Sequence, residues 1–223
     1  RSGAVQVNFV PVEVNVGGAV RYYASDLPLV GANVIASASE GEFSTETGEQ
    51  GDYSLLVPSE QNLRLGVRQA PDAKPNRGVT SLDLLLMRRH ILGLSELPSP
   101  WQLLAADVDR QGDVGALDVL LMRRIILGLA AEYVESESLF RFFPSSTEFP
   151  DPLNPWSAAS VRSYDSLTDD LVDQDFLALK LGDVDGDWST GAPTSTEVIP
   201  IAPLSLDRVE RARLVIRSLP QRM

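Results

Sequence analysis

The sequence lacks cysteine altogether and contains only one histidine, His90. Without cysteine, the chain can form no disulfide framework, no thiolate nucleophile and no cysteine-based zinc site. A single histidine also excludes most of the hydrolytic and metal chemistry that depends on this residue. No apolar run approaches the roughly 18 residues that a membrane-spanning helix requires. Few familiar routes to catalysis remain, and we expect a protein that is not an enzyme.

Basic residues are also scarce, with 19 Lys and Arg against 31 Asp and Glu in 223 residues and a formal net charge of -12. This balance argues against a nucleic-acid partner, because such binding draws mainly on Lys and Arg contacts to phosphate. The acidic excess is either a solvated surface or a set of cation ligands. Only the spacing of the acidic residues distinguishes these two interpretations. The chain starts at Arg1 without a signal peptide, as we expect of a mature or trimmed product.

Alternating apolar and polar residues predict β-structure over the first part of the chain. The alternating apolar residues stand at odd positions before Pro11 and at even positions after it, so one continuous strand cannot keep them on one face. We therefore predict a separate N-terminal strand arm over residues 1–11, able to pair with a sheet edge. Five short runs separated by turn residues follow over 12–70. Their spacing predicts an antiparallel β-sandwich.

Part of this region resembles the carboxypeptidase-regulatory-like (transthyretin-like) β-sandwich family. The resemblance rests on Gly18, on the Pro28–Gly31 turn followed by Ala32 and Val34, and on "GDYSL" at 51–55. Modules of that family are generally accessory or structural. The resemblance therefore implies a domain without catalytic residues of its own.

A duplicated unit is the strongest internal signal. Residues 79–94, "VTSLDLLLMRRHILGL", and 114–129, "VGALDVLLMRRIILGL", match at 12 of 16 positions. Each copy predicts a helix that ends near a glycine. The helices are apolar on almost every side, so we expect them to be buried, by preference in the protein's own core and otherwise against a partner. His90 stands where the second copy has Ile125, which favours a packing role over a ligand role.

Residues 107–118, "DVDRQGDVGALD", have the spacing of an EF-hand-type calcium loop. Such loops place oxygen ligands at positions 1, 3, 5, 7 and 12, with glycine at position 6 for the sharp turn. We therefore predict a calcium site here, against the alternative of a merely acidic turn. The predicted ligands are Asp107, Asp109, Gln111, the backbone carbonyl of Asp113, and Asp118, with Gly112 at the glycine position.

The first copy of the unit lacks the opening half of such a loop, because Lys74 and Arg77 stand at positions 3 and 6. Its closing half, "GVTSLD" at 78–83, is intact. Conversely, "GDVDGD" at 182–187 supplies an opening half that nothing after it closes. We hypothesise that the two halves form one split calcium site, within one chain or between two; the alternative is an independent acidic turn. The predicted ligands of the split site are Asp183, Asp185, Asp187, Asp83 and Asn76.

Duplicated loops of the form D-x-[DN]-x-x-G-x-V-x-x-x-D that lead into LLxxRxIL helices resemble dockerins, the calcium-dependent modules that bind cohesins in multi-enzyme assemblies. The resemblance covers about residues 71–188, with 130–181 as an insertion, and is similar to the variant found in surface and secreted bacterial proteins. It implies two calcium sites and a recognition pair at loop positions 10 and 11. These pairs are Ser81–Leu82 and Ala116–Leu117, although both leucines could instead cap the module's own core.

The C-terminal residues differ in composition from the rest. Residues 189–203 are rich in Pro, Ser and Thr and predict a linker. Residues 204–223 carry five Arg against one Asp and one Glu, so this tail is net +3 and leaves -15 for the rest of the chain. The asymmetry favours docking of the tail on an acidic surface of the same molecule or of a neighbour.

We therefore predict an α+β protein, with an N-terminal antiparallel β-sandwich followed by a dockerin-like pair of calcium-loop helices with a β-containing insertion. Two functions are open for this extracellular or cell-surface protein. The first, which the arm and tail favour, is a self-assembling subunit of a surface filament joined by strand addition and tail docking. The second is an anchoring module of a larger secreted protein, such as a polysaccharide-degrading enzyme, that binds a cohesin-like partner.

Overall fold

The computed structural model describes residues 12–69, 74–134 and 138–189. The predicted arm at 1–11, the tail at 204–223 and all but the first residue of the predicted linker lie outside the described residues. Strand addition by the arm and docking of the tail therefore stay predictions. No helix in the described part of the chain is both long enough and apolar enough to cross a membrane.

In the described residues, eight strands form two four-stranded sheets, with the orders β4–β1–β8–β6 and β3–β2–β5–β7. All paired strands are antiparallel except β1 with β8, which are parallel. Strands β1 to β5 coincide with the five alternating runs of the sequence. The strand bounds are β1 Glu13–Tyr22, β2 Asn33–Ala38, β3 Gly41–Glu46, β4 Asp52–Pro58, β5 Gln61–Gln69, β6 Phe140–Pro144, β7 Val161–Leu167 and β8 Phe176–Lys180.

The two sheets share one apolar core, because alternate residues of each strand point to the same side. Val14, Val16 and Val20 of β1 are buried on the inner face of the first sheet. They belong to one apolar cluster with Leu63 and Leu65 of β5, in the second sheet. Burial of these side chains against each other holds the sheets face to face as a β-sandwich.

Three strands of the sandwich come from the segment 130–181, which the sequence had assigned to the calcium-binding domain as an insertion. Strand β8 lies beside β1, with Val20 opposite Phe176, and β7 extends the second sheet beside β5. Among the first five strands, β1 pairs only with β4, so its second edge requires a partner from later in the chain. The sandwich therefore extends beyond 12–70 and contains a parallel pair that the sequence did not predict.

Three helices carry the duplicated unit and its connection: α1 Ser81–Ile91, α2 Pro100–Ala106 and α3 Ala116–Ile126. In α1 and α3, an aspartate in the first turn, Asp83 or Asp118, accepts a hydrogen bond from the backbone N–H of the cap residue at 2.7 and 2.8 Å. Both helices are followed by a glycine with positive φ, 66° at Gly93 and 67° at Gly128. The two copies therefore begin and end in the same way.

Helices α1 and α3 are less buried than their sequence predicted. Met87 is fully buried, but Leu85 and Leu120 are 50% and 55% exposed. The expectation failed because each helix buries only one side, in an apolar cluster that α1 and α3 share with α2 and the neighbouring loops, so the second apolar side faces solvent. His90 contributes a local contact, in which its Nδ1 accepts a hydrogen bond from Leu97 N at 3.2 Å.

Candidate metal centres

The continuous loop between α2 and α3 brings three carboxylates together. Asp107 directly follows α2, Asp109 lies two residues further on, and Asp118 stands in the first turn of α3. One carboxylate oxygen of each lies within 4.8 Å of the other two. Asp107 and Asp118 are buried and Asp109 is partly buried. The spacing allows one small cation to contact all three groups.

Backbone N–H groups hold these carboxylates in place. Asp118 Oδ1 accepts hydrogen bonds from Val108 N at 2.9 Å and Asp109 N at 3.2 Å. Asp107 Oδ2 accepts one from Gly112 N at 3.2 Å. Gly112 has a φ of 87°, the left-handed conformation that favours glycine, at the position where the sequence predicted a sharp turn. The turn folds the loop back, so that its first and last carboxylates converge.

A second cluster joins residues that lie about a hundred positions apart in the chain. Asp83 of α1 meets Asp183 and Asp185, which follow β8, and one oxygen of each lies within 4.8 Å of the others. Asp83 Oδ1 accepts hydrogen bonds from Val184 N at 2.8 Å and Asp185 N at 3.1 Å. The opening and closing halves of the loop therefore meet within one chain.

The two clusters repeat the same hydrogen bonds, position by position. In both, the aspartate at position 12 accepts from the N–H groups of positions 2 and 3. The aspartate at position 1 accepts from position 6, where Trp188 N donates to Asp183 Oδ2 at 3.1 Å. The aspartate at position 3 accepts from position 5, where Asp187 N donates to Asp185 Oδ1 at 3.2 Å. The split loop has the internal geometry of the continuous one.

The join between the two halves depends on a glycine. Gly78, at position 7 of the closing half, lies directly against Trp188, at position 6 of the opening half. A Cβ added to Gly78 would come 2.7 Å from Trp188 Cβ, and the φ of Gly78 is 69°. Both observations require glycine. Successive loop positions are therefore neighbours in space although the chain is broken between them.

The other predicted ligands are exposed residues outside the three-carboxylate cores. Gln111, Asp113 and Asp187 are exposed. Asp113 and Asp187 are not among the clustered carboxylates of the described residues. Asn76 is also exposed, and its backbone carbonyl accepts a hydrogen bond from Val79 N at 3.1 Å. The three-carboxylate core of each cluster is thus better defined than its outer ligands.

Tyr22 is part of the split cluster, and the sequence analysis missed it. This residue ends β1, is fully buried, and its hydroxyl donates a hydrogen bond to Asp183 Oδ2. Its ring also packs on Trp188, with ring centroids 4.7 Å apart. The only sequence signal at Tyr22 is its place in an alternating strand, which predicts burial but no polar partner. The contact ties the sandwich to the split loop.

Burial raises the pKa of the clustered carboxyl groups. Loss of water raises the pKa of Asp107 to about 6 and that of Asp183 to about 7, and it raises the pKa values of Asp83 and Asp118 as well. Hydrogen bonds from backbone N–H groups oppose these shifts, whereas neighbouring carboxylates add to them. The charged clusters are therefore unfavourable without a compensating cation.

The donor set fits a hard divalent cation. Carboxylate oxygens are the ligands that calcium prefers, and no thiolate is present to favour a softer metal. Asp107 Oδ1 is buried and has no hydrogen-bond partner among the described residues, so it is available to an ion. Three carboxylates leave further coordination positions for carbonyl oxygens and water.

The residues predicted to recognise a partner lie at the surface. Ser81 and Ala116 are exposed, and Leu82 and Leu117 are 49% and 47% exposed. An apolar concavity of about 570 Å³ lies between α1 and α3 beside them. Its lining residues are Leu85, Arg88, Arg89, Ile91, Leu92, Leu94, Ala116 and Val119. The two copies thus present equivalent exposed leucines, Leu82 and Leu117.

The duplicated unit is similar to a known family. Residues 72–127 match the dockerin type I domain. This match confirms the dockerin-like interpretation of the duplicated loops and helices. Dockerin domains bind calcium and occur in secreted or cell-surface proteins, so the match indicates a calcium-binding module for protein interaction over these residues. No curated protein shows significant similarity to the chain.

The family match covers only part of the elements described above. It contains α1, the continuous loop and α3, but it ends before 182–187, the opening half of the split loop. It also begins after the fifth strand. The transthyretin-like resemblance of 12–70 therefore stays a prediction.

Proposed function

We propose that this chain is a non-catalytic, calcium-dependent interaction module of an extracellular or cell-surface protein, and that the α1–α3 side binds a cohesin-like partner. The observation that carries the proposal is the repeated cluster. Two sets of three carboxylates have matching hydrogen bonds, and each set includes the first-turn aspartate of a helix that carries exposed apolar residues. A dockerin-like segment that contains both helices supports the same function.

Each cluster would hold one calcium ion. Binding a cation removes the repulsion among the carboxylates and satisfies their buried oxygens, so it stabilises only the folded form. The core ligands are Asp107, Asp109 and Asp118 in one site and Asp83, Asp183 and Asp185 in the other. The outer ligands would be Gln111 and the carbonyl of Asp113 in the first site, and Asp187 and Asn76 in the second.

Calcium binding would also order the partner surface. Asp83 and Asp118 are ligands and first-turn residues at once, and each directly follows an exposed leucine, Leu82 or Leu117. A fixed carboxylate therefore fixes the helix turn that presents the leucine. Half-exposed leucines beside an apolar concavity suit the desolvated centre of an interface, with arginines at the rim.

The filament hypothesis remains as the alternative. It depends on the arm at 1–11 and the tail at 204–223, which lie outside the described residues. The exposed leucines and the apolar concavity of the described part support a separate partner. The two functions differ in a simple observable, because a filament subunit should assemble in calcium without any added protein.

The test is binding to purified type I cohesin domains, immobilised and probed by surface plasmon resonance in calcium and in excess EGTA. We expect binding in calcium only. Replacing both leucines, Leu82→Asp with Leu117→Asp, should weaken it at least about thirtyfold, because each residue would bury apolar surface at the interface centre. Leu153→Asp is the matched control: Leu153 is 70% exposed, belongs to neither helix and should tolerate the change.

Three results would count against the proposal. Binding that persists in EGTA would refute the dependence on calcium. Binding that is unchanged in the double leucine variant would refute the assignment of the binding surface to Leu82 and Leu117. Failure of every cohesin domain, together with calcium-dependent polymers in sedimentation velocity, would establish the filament instead.

A further inference from the structure

A cleft lined by arginines lies on the side of the sandwich formed by β5, β7 and β6. It consists of two adjoining concavities of about 500 and about 390 Å³ that share Val67, Arg68 and Ser160. No Asp or Glu of the described residues lines either concavity. The arginines of the cleft are Arg64 and Arg68 of β5, Arg110 of the continuous loop and Arg141 of β6.

This concentration of positive charge stands out in a chain of net charge -12. Like charges gathered in a concave site focus a positive potential there.

The arginines are held in positions where they can reach a ligand. Arg110 Nη2 donates a hydrogen bond to the carbonyl of Ser138 at 2.6 Å, which fixes its side chain at the cleft wall. Arg68 forms an ion pair with Glu42 at 2.9 Å, but both side chains are well exposed, at 64% and 48%. An exposed pair of this kind is weak and can exchange its carboxylate for another anion. Gly66 lies between Arg64 and Arg68 and also lines the cleft.

We propose that this cleft binds a chain of acidic sugars through its carboxylate or sulfate groups, at a site separate from the α1–α3 side. Guanidinium groups bind both anions through paired N–H donors. Hydroxyl groups of Ser37, Ser138 and Ser160 also line the cleft and can meet sugar hydroxyls. The proposal does not depend on cohesin binding.

The backbone of β5, which carries two of the arginines, favours a sugar chain over an acidic peptide. Arg64 and Gly66 of β5 lie between β2 and β7, so the backbone of this strand is already paired on both sides. An extended peptide lying across β5 would gain no backbone hydrogen bonds from it. A sugar chain carries its polar groups as substituents and does not depend on such bonds.

The test is isothermal titration calorimetry at low ionic strength with two probes, short oligogalacturonate and short heparin oligosaccharide. The first carries carboxylates, and the second also carries sulfates. The cleft variant is Arg64→Gln with Arg68→Gln, and we expect it to bind at least about tenfold more weakly. The control is Arg123→Gln with Arg124→Gln, which removes the same charge from exposed residues of α3 and should change the affinity less than about twofold.

The outcomes separate the cleft from general electrostatics. Equal losses in the two variants would show that net charge alone attracts the probes and would overturn the proposal. Absence of binding by both saccharides would overturn it directly. Binding of short polyglutamate as tightly as the saccharides would overturn the assignment to sugars. Circular dichroism of the variants checks that exposed Arg64 and Arg68 were replaced without loss of fold.

Discussion

Without calcium, the protein should lose stability as the pH rises from about 4 to about 7. Burial raises the pKa of Asp107 from 3.8 to about 6 and that of Asp183 from 3.8 to about 7. The folded state therefore binds protons more tightly than the unfolded state in this range. The stability that protonation gives is fully present below the unfolded pKa and is lost as the pH rises through the folded values.

The size of the effect follows from the same shifts. One pKa unit corresponds to about 1.4 kcal/mol of differential interaction. Above about pH 5 both carboxyl groups are largely deprotonated in the unfolded state. In the folded state, Asp107 stays protonated for roughly one further pH unit and Asp183 for roughly two. The free energy of unfolding should therefore fall by roughly 3–4 kcal/mol between about pH 5 and about pH 7.5.

Urea unfolding followed by tryptophan fluorescence measures this change, because Trp188 packs at the split cluster. The experiment compares the two pH values in EGTA and again in calcium. Calcium should abolish the fall, since the ion replaces the protons, and Asp183→Asn should reduce it because the titrating group is removed. If the calcium-free protein instead became more stable between pH 5 and pH 7.5, the account of the buried carboxylates would be refuted.

Two further predictions concern the contacts that assemble the split site. Tyr22→Phe should lower the free energy of unfolding by about 1.5–3 kcal/mol, because Tyr22 donates a hydrogen bond to a carboxylate. Tyr133→Phe should lower it by only about 0.5–1.5 kcal/mol, because Tyr133 donates to a backbone carbonyl. Equal losses in urea unfolding would contradict this prediction. Gly78→Ala should weaken calcium binding measured by titration calorimetry at least about tenfold, whereas Gly93→Ala, with a similar positive φ but open space around it, should leave it unchanged.

The sequence predicted the local elements well, because each rests on a short-range period or spacing. Alternation identified strands β1 to β5, and the duplication identified α1 and α3. The meeting of Asp83 with Asp183 and Asp185 was also foreseeable, since each half-loop lacks what the other half supplies. This prediction needed only the fixed geometry of one loop type and not the fold around it.

The features that escaped prediction all depend on contacts between distant parts of the chain. The parallel pairing of β8 with β1 and the hydrogen bond from Tyr22 to Asp183 have no local signature. The same holds for the cleft, where Arg64, Arg110 and Arg141 come from three separate elements. The exposure of α1 and α3 was missed for another reason, because an apolar helix face predicts a partner but does not say whether that partner is the same chain.

The stoichiometry of calcium binding tests the central claim, that 78–83 and 182–187 form one metal site. Titration calorimetry of the calcium-free protein should give two ions per chain, one for each carboxylate cluster. Asp83→Ala should leave one ion, and Asp113→Ala, which removes an exposed side chain outside both clusters, should leave two. Two ions bound to the Asp83→Ala variant, with unchanged affinities, would contradict the split site.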